Sequence, residues 1–125
     1  MSTPVLIYIS KETCPACQRF APEWEKLKQK LSGKVRFVSF RLKGDRTLPP
    51  AIQKYGNWYP TILLVSGSEY SKYFTDDDNM RSASGSMHAL VFNSVEEHGR
   101  LIPAGRPTDS ENVLLWVTKL YNKVK

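Results

Sequence analysis

Residues 5–10, VLIYIS, run almost wholly apolar without polar alternation, and they are rich in β-branched and aromatic side chains. Such a run reads as a strand buried on both faces, the position of a central strand in a parallel arrangement. Cys17, Phe20, Trp24, Leu27 and Leu31 then recur at intervals of three and four, the apolar stripe of a helix that stops near Ser32 and Gly33. The alternating VRFVSFRL of residues 35–42 supplies a second strand. Strand, helix and strand in so short a length predict a right-handed βαβ unit, because parallel neighbours need a helical crossover.

The remaining chain is less regular. In DRTLPPAIQKYGNWYP the proline pair allows a short helix over residues 50–55 before a turn at Gly56 and Asn57. TILLVSG reads as a strand, and residues 67–87, rich in Ser, Gly and Asp around the aromatic island YSKYF, read as a long loop. ALVFN at 89–93 is a further strand candidate, and RLIPAG a short edge strand marked by Pro103. Thr108 with Glu111 reads as a capping box opening a last helix, whose apolar face is Val113, Val117, Leu120 and Val124 with Leu114 and Tyr121 beside it. The expectation is an α/β fold: one domain over residues 1–125, a central mixed sheet of four to five strands flanked by helices, and an inserted loop around 67–88. With 125 residues the chain encloses one core.

Apolar residues make up 41% and charged residues 24%, balanced as in soluble globular proteins and unlike disordered chains. The longest apolar runs are strand-sized and no basic leader precedes the first, so the chain is expected to be cytoplasmic and without a membrane partner. A charge of +6 and a pI of about 9.4 favour acidic partners in general. Between Lys26 and Arg46 eight basic residues face one acid, Asp45. This run reads as a solvated helix face with its neighbours; nucleic acid is not an expected partner, since no binding motif or regular aromatic interleaving accompanies it.

Both cysteines fall in KETCPACQRF, separated by Pro15 and Ala16 at the front of the first helix. Positions i and i+3 share one side of a helix, so Cys14 and Cys17 can bridge without backbone movement. At the helix start the Cys14 sulfur meets free N–H groups and the positive dipole end, which favour thiolate; Lys11 and Arg19 add positive charge nearby. Cys17 lies on the core stripe, shielded from solvent. A structural staple fits poorly, as two cysteines are too few for a secreted disulfide framework. A zinc site needs two more ligands, and His88 and His98 are ten residues apart and more than seventy from the cysteines. TDDDN at 75–79 lacks the glycine and distal glutamate of a calcium loop. No metal and no cofactor is expected.

The C-x-x-C pair, CQRFAPEWEKL and KYGNWYPTILLV, in this order, resemble the thioredoxin-like superfamily. The resemblance implies that Pro22 kinks the helix, that the Tyr59-Pro60 bond is cis and packs against the cysteines, and that the Tyr59 backbone pairs with an extended substrate segment. Trp58 and Tyr59 are then either an apolar lip around Cys14 or core, and Thr13, Pro15 and Ala16 are the remaining substrate contacts. AGRPTDSENVLLWV is similar, more loosely, to the family's glycine-arginine turn and closing helix; residues 67–88 have no counterpart in these motifs. The chain also departs from thioredoxins. Thr13 replaces a tryptophan, Pro15-Ala16 replaces Gly-Pro in the manner of glutaredoxins and some disulfide-forming oxidoreductases, and Tyr8 stands where thioredoxins bury an aspartate. The glycine-glycine-aspartate glutathione signature is missing after the proline strand. The function implied is a thiol-disulfide oxidoreductase acting on protein disulfides or dithiols and recycled by a thioredoxin reductase or the glutathione system. The alternatives are a glutathione-dependent reductase and a non-catalytic binding module that uses the edge beside Pro60.

Overall fold

The apolar run lies at the centre of the sheet. In the computed structural model, which describes residues 3–44, 47–81 and 84–125, strand β1 (Val5–Lys11) pairs in parallel with β2 (Arg36–Leu42) and antiparallel with β3 (Thr61–Val65). A short β4 (Leu90–Val91) adds antiparallel to β3, giving the order β2-β1-β3-β4. Alternate residues of β1 serve two cores. Val5, Ile7 and Ile9 face Leu63, Val65, Ile52 and Phe74, while Leu6 and Tyr8 face the helical layer opposite. That layer holds α1 (Pro15–Lys30) and α3 (Ser110–Val124), which bring Phe20, Trp24, Leu27, Val113 and Val117 onto the sheet. The expected mixed sheet flanked by helices, with its parallel βαβ start, is observed, with four strands of the four to five expected. The short helix expected at residues 50–55 is a 3-10 helix, Pro50–Tyr55.

Three expectations need correction. The stretch from residue 67, read as loop, opens with a helix, α2 (Gly67–Tyr73), whose N-cap Ser66 accepts a hydrogen bond from the Glu69 N–H at 3.1 Å. Its turn composition hid an i, i+4 aromatic pair: Tyr70 and Phe74 stack with centroids 4.7 Å apart and are buried. Second, α3 is capped by Asp109 instead of Thr108, because the Asp109 carboxylate takes the Asn112 N–H at 2.8 Å and leaves Thr108 one residue outside. Third, RLIP does not join the main sheet. It is β6 (Arg100–Pro103), paired antiparallel with β5 (Ser94–Glu97) as a separate hairpin. His98 (φ 53°) and Gly99 (φ 75°) both adopt positive φ at its tip, the requirement of a two-residue turn that matches strand twist.

Lys26, Lys28, Lys30, Lys34, Arg41 and Lys43 of the basic run are exposed, while Asp45 and Arg46 lie outside the described residues. Arg36 departs from the solvated reading. Its guanidinium pairs with Asp78 and lies 5.4 Å over the Tyr70 ring, and the Tyr70 hydroxyl donates to the same carboxylate at 2.7 Å. Among the described residues no helix is long and apolar enough to cross a membrane.

Glu23 joins the two helices of the layer. One carboxylate oxygen accepts from the Ser110 N–H at 3.0 Å and hydroxyl at 3.1 Å, and the other from Lys26 at 3.0 Å. The Ser110 N–H, then Lys26, hold this carboxyl down to about 2. Because the folded state favours the ionised form, this stabilisation is complete above the usual glutamate range and fades as pH falls from about 4.5 towards 2. Glu23→Gln should therefore lower stability at pH 6 by about 1 kcal/mol, the worth of a helix cap. At pH 2.5 the gap from wild type should nearly close, as read by thermal denaturation at both pH values.

Candidate active site

Cys14 closes the turn that leads from β1 into α1, its N–H donating to the Lys11 carbonyl at 3.3 Å. It is the N-cap of α1, in extended backbone (φ −100°, ψ 109°), and Pro15 follows at the first helical position, where its missing N–H and fixed φ are no disadvantage. The sulfur does what a serine or aspartate oxygen does at other helix starts: Cys14 Sγ accepts the Cys17 N–H at 3.1 Å. A backbone donor at a helix N-terminus meets negative charge on that sulfur favourably. Half-exposed Cys14 is ringed by exposed Thr13 and Pro15 and half-buried Ala16.

Cys17, one turn on, is 4% exposed, and both cysteines are free thiols. Burial, followed by the neighbouring Cys14, pushes the Cys17 thiol up to about 11. One sulfur is reachable and the other is screened, as the apolar stripe implied.

The chain then returns to the pair from 45 residues away. The Cys14 thiol lies 3.8 Å from the Tyr59 carbonyl oxygen, and the Tyr59-Pro60 bond is cis. The Thr61 hydroxyl donates to the Trp58 carbonyl across the bend. Pro60 is buried; Tyr59 is half-buried, with the Lys11 ammonium 4.7 Å over its ring. Lys11, Thr13, Leu48, Gln53, Gly56 and Tyr59 wall a cleft of about 490 Å³ beside the cysteines. A Cβ at Gly56 would lie 2.9 Å from Leu48 Cδ1 and 3.0 Å from the Tyr59 hydroxyl oxygen, so a side chain there would displace the ends of these two residues in the wall. Trp58 lines a second groove of about 980 Å³, with Leu90 of β4, Leu101 and Ile102 of β6 and Trp116 and Leu120 of α3. The two aromatics offered together as lip or core thus divide, Tyr59 walling the cleft beside the cysteines and Trp58 the second groove.

Of the residues named from sequence, the fold brings Tyr59 and Pro60 to the cysteines, while Thr13, Pro15 and Ala16 arrive by adjacency. Sequence reasoning missed the contacts of Lys11, Gln53 and Gly56 with this cleft; the glycine in KYGNWYP was its one local signal. The sheet supplies a neighbour of Cys17 at the position where the resemblance sets Tyr8 in place of a buried aspartate. The Tyr8 hydroxyl, buried on β1, donates to the Cys17 carbonyl at 3.1 Å. Burial first, and then charge on Cys17, disfavour ionisation of Tyr8, and the same two causes act in that order on Tyr59. Among the described residues no cluster of three or more His, Cys, Asp or Glu is placed to hold a metal ion.

The thioredoxin family model matches residues 1–85, a range that includes α2, for which the motifs offered no counterpart. A thioredoxin of Peptoclostridium acidaminophilum is 33% identical over 85 residues, covering 68% of this chain and 76% of that protein. Two solved structures share the fold over nearly the whole chain. The J-Trx1 fragment of ERdj5 superposes with a TM-score of 0.60 at 16% identity, over 97% of this chain and 44% of that one. The Trx4 domain of ERdj5 gives 0.57 at 20% identity, over 98% and 82%. This chain therefore spans less than half of the first of these structures and most of the second. The sequence match begins ahead of β1 and runs past the cis-proline bend, so it takes in both cysteines and the segment that returns to them: the chain belongs to the thioredoxin family, and Cys14-Pro15-Ala16-Cys17 fits its Cys-X-X-Cys centre.

Proposed function

We propose that this protein is a thiol-disulfide oxidoreductase in which Cys14 attacks and Cys17 resolves. The Cys14 thiolate attacks one sulfur of a substrate disulfide and expels the other as thiolate; the Cys17 sulfur, its proton lost to solvent, then attacks Cys14 and releases the reduced substrate. The reverse sequence oxidises a substrate dithiol. The carrying observation is the Cys17 N–H aimed at Cys14 Sγ, 3.1 Å away at the helix start, with the Cys17 sulfur buried behind it. The substrates are protein disulfides and dithiols whose extended segment lies along the Tyr59 backbone, with Thr13, Pro15 and Ala16 at its edge and Trp58 leading into the larger groove. Both cysteines are committed to one pair, which suits a reducing cytosol with a thioredoxin reductase or glutathione as electron source.

Cys17→Ser tests the assignment. Mixed with a cystine-bridged peptide, the variant should accumulate a mixed disulfide on Cys14, detected as added mass that reductant removes. Recovery of unmodified protein would overturn the reading. In the wild type, the resolving step should accelerate as pH rises above neutrality, since it is the thiolate of Cys17 that attacks and burial holds that thiol up.

A further inference from the structure

We infer that the Tyr8 hydroxyl is the positioning group for the resolving step, holding the turn that carries Cys17 against a mixed disulfide on Cys14; the inference rests on the oxidoreductase reading above. It starts from a shortage of hydrogen bonds in the first turns of α1. Pro22 inside the helix carries no N–H. A proline also crowds the carbonyl four residues before it, here Gln18, and cannot donate to it. The segment bearing Cys17 is therefore tied at its front by two contacts to Cys14, the Cys17 N–H to Cys14 Sγ at 3.1 Å and the Gln18 N–H to the Cys14 carbonyl at 3.1 Å.

The first of these contacts changes during the reaction. Once Cys14 is bonded to substrate, its sulfur is uncharged and a weak acceptor, so the tie from Cys17 loosens at the moment Cys17 must attack. The bond from Tyr8 does not involve the reacting sulfur. Its hydroxyl reaches the Cys17 carbonyl at 3.1 Å from the centre of the sheet, where Tyr8 faces Ile62 on one neighbouring strand and Ser39 on the other. The ring is held by Phe20 at 5.0 Å and Trp24 at 5.2 Å between centroids. The tether is thus anchored on the central strand and does not depend on the sulfur that reacts.

The test uses 5,5′-dithiobis(2-nitrobenzoate) as disulfide and the reduced full-length protein. Attack by Cys14 breaks the probe's S–S bond and releases one coloured aryl thiolate; attack by Cys17 releases the second, with two electrons passing from the dithiol to the probe. The two releases are read as successive phases, assigned with Cys17→Ser, which should show only the first. Tyr8→Phe keeps the packed ring and removes the hydroxyl. Its second phase should slow about fivefold to tenfold, the kinetic equivalent of one hydrogen bond, with the first phase unchanged. A purely structural role would lower the melting temperature and leave the ratio of phases as in wild type, and that ratio would overturn the inference. If Tyr8→Phe does not fold, Tyr8→Met, which also lacks the hydroxyl, takes its place under the same criterion. A wild-type protein that releases nothing, or only one equivalent, would instead overturn the oxidoreductase reading itself.

Discussion

Cys14→Ser is expected to reduce disulfide exchange to the uncatalysed background, measured as reductant-dependent reduction of a cystine-bridged peptide. The half-exposed sulfur is the one placed at the helix start, on the Cys17 N–H and against the Tyr59 carbonyl. Cys17 does not substitute for it. Its sulfur is buried, and burial pushes its thiol up, so at neutral pH it offers little thiolate and no open approach. The serine side chain keeps the cap, because a hydroxyl oxygen accepts the same N–H. Loss of activity with an unchanged melting temperature is therefore the expected signature. Retained activity would overturn the assignment of Cys14 as the attacking sulfur.

Phe20→Ala is expected to give the largest loss of stability. Phe20 is 1% exposed on the inner face of α1 and packs edge-on to Tyr8 and beside Trp24. Truncating a buried phenylalanine to alanine costs about 3–5 kcal/mol, through lost transfer energy and the cavity that remains. In a domain of this size the melting temperature should fall by on the order of 10–20 °C. The ring also supports Tyr8, so the second phase of the chromogenic reaction should slow at temperatures where the variant is still folded. A fall of only a few degrees would mean that the helix settles onto the sheet and fills the space.

The two halves of the chain differed in how much they disclosed. In residues 5–42 the hydrophobic pattern agreed with the tertiary outcome: an unbroken apolar run became the central strand, and the three-and-four stripe became the face of α1 over Phe20, Trp24 and Leu27. Periodicity is informative where an element buries a continuous face. Between residues 66 and 103 the elements are short and their signals are set by single residues. The Ser66 cap and the Tyr70–Phe74 stack make α2 out of what its serines and glycine describe as loop. A positive φ at His98 and Gly99 turns VEEHGRLI into a hairpin that the alternation of so few residues does not specify.

The same division holds within the site. The cysteine spacing alone fixed that Cys14 and Cys17 share one helical turn, and the apolar stripe alone fixed which of them is screened, because both depend only on helix periodicity. What no local pattern reaches is decided by chain segments distant in sequence and joined by the sheet. The Tyr59 carbonyl comes to Cys14 across 45 residues because β3 pairs with β1. Gly56 matters through the Leu48 and Tyr59 atoms that crowd it. Tyr8, which the resemblance sets where thioredoxins bury an aspartate, becomes the hydrogen-bond partner of the Cys17 carbonyl because α1 lies across the strand that carries it.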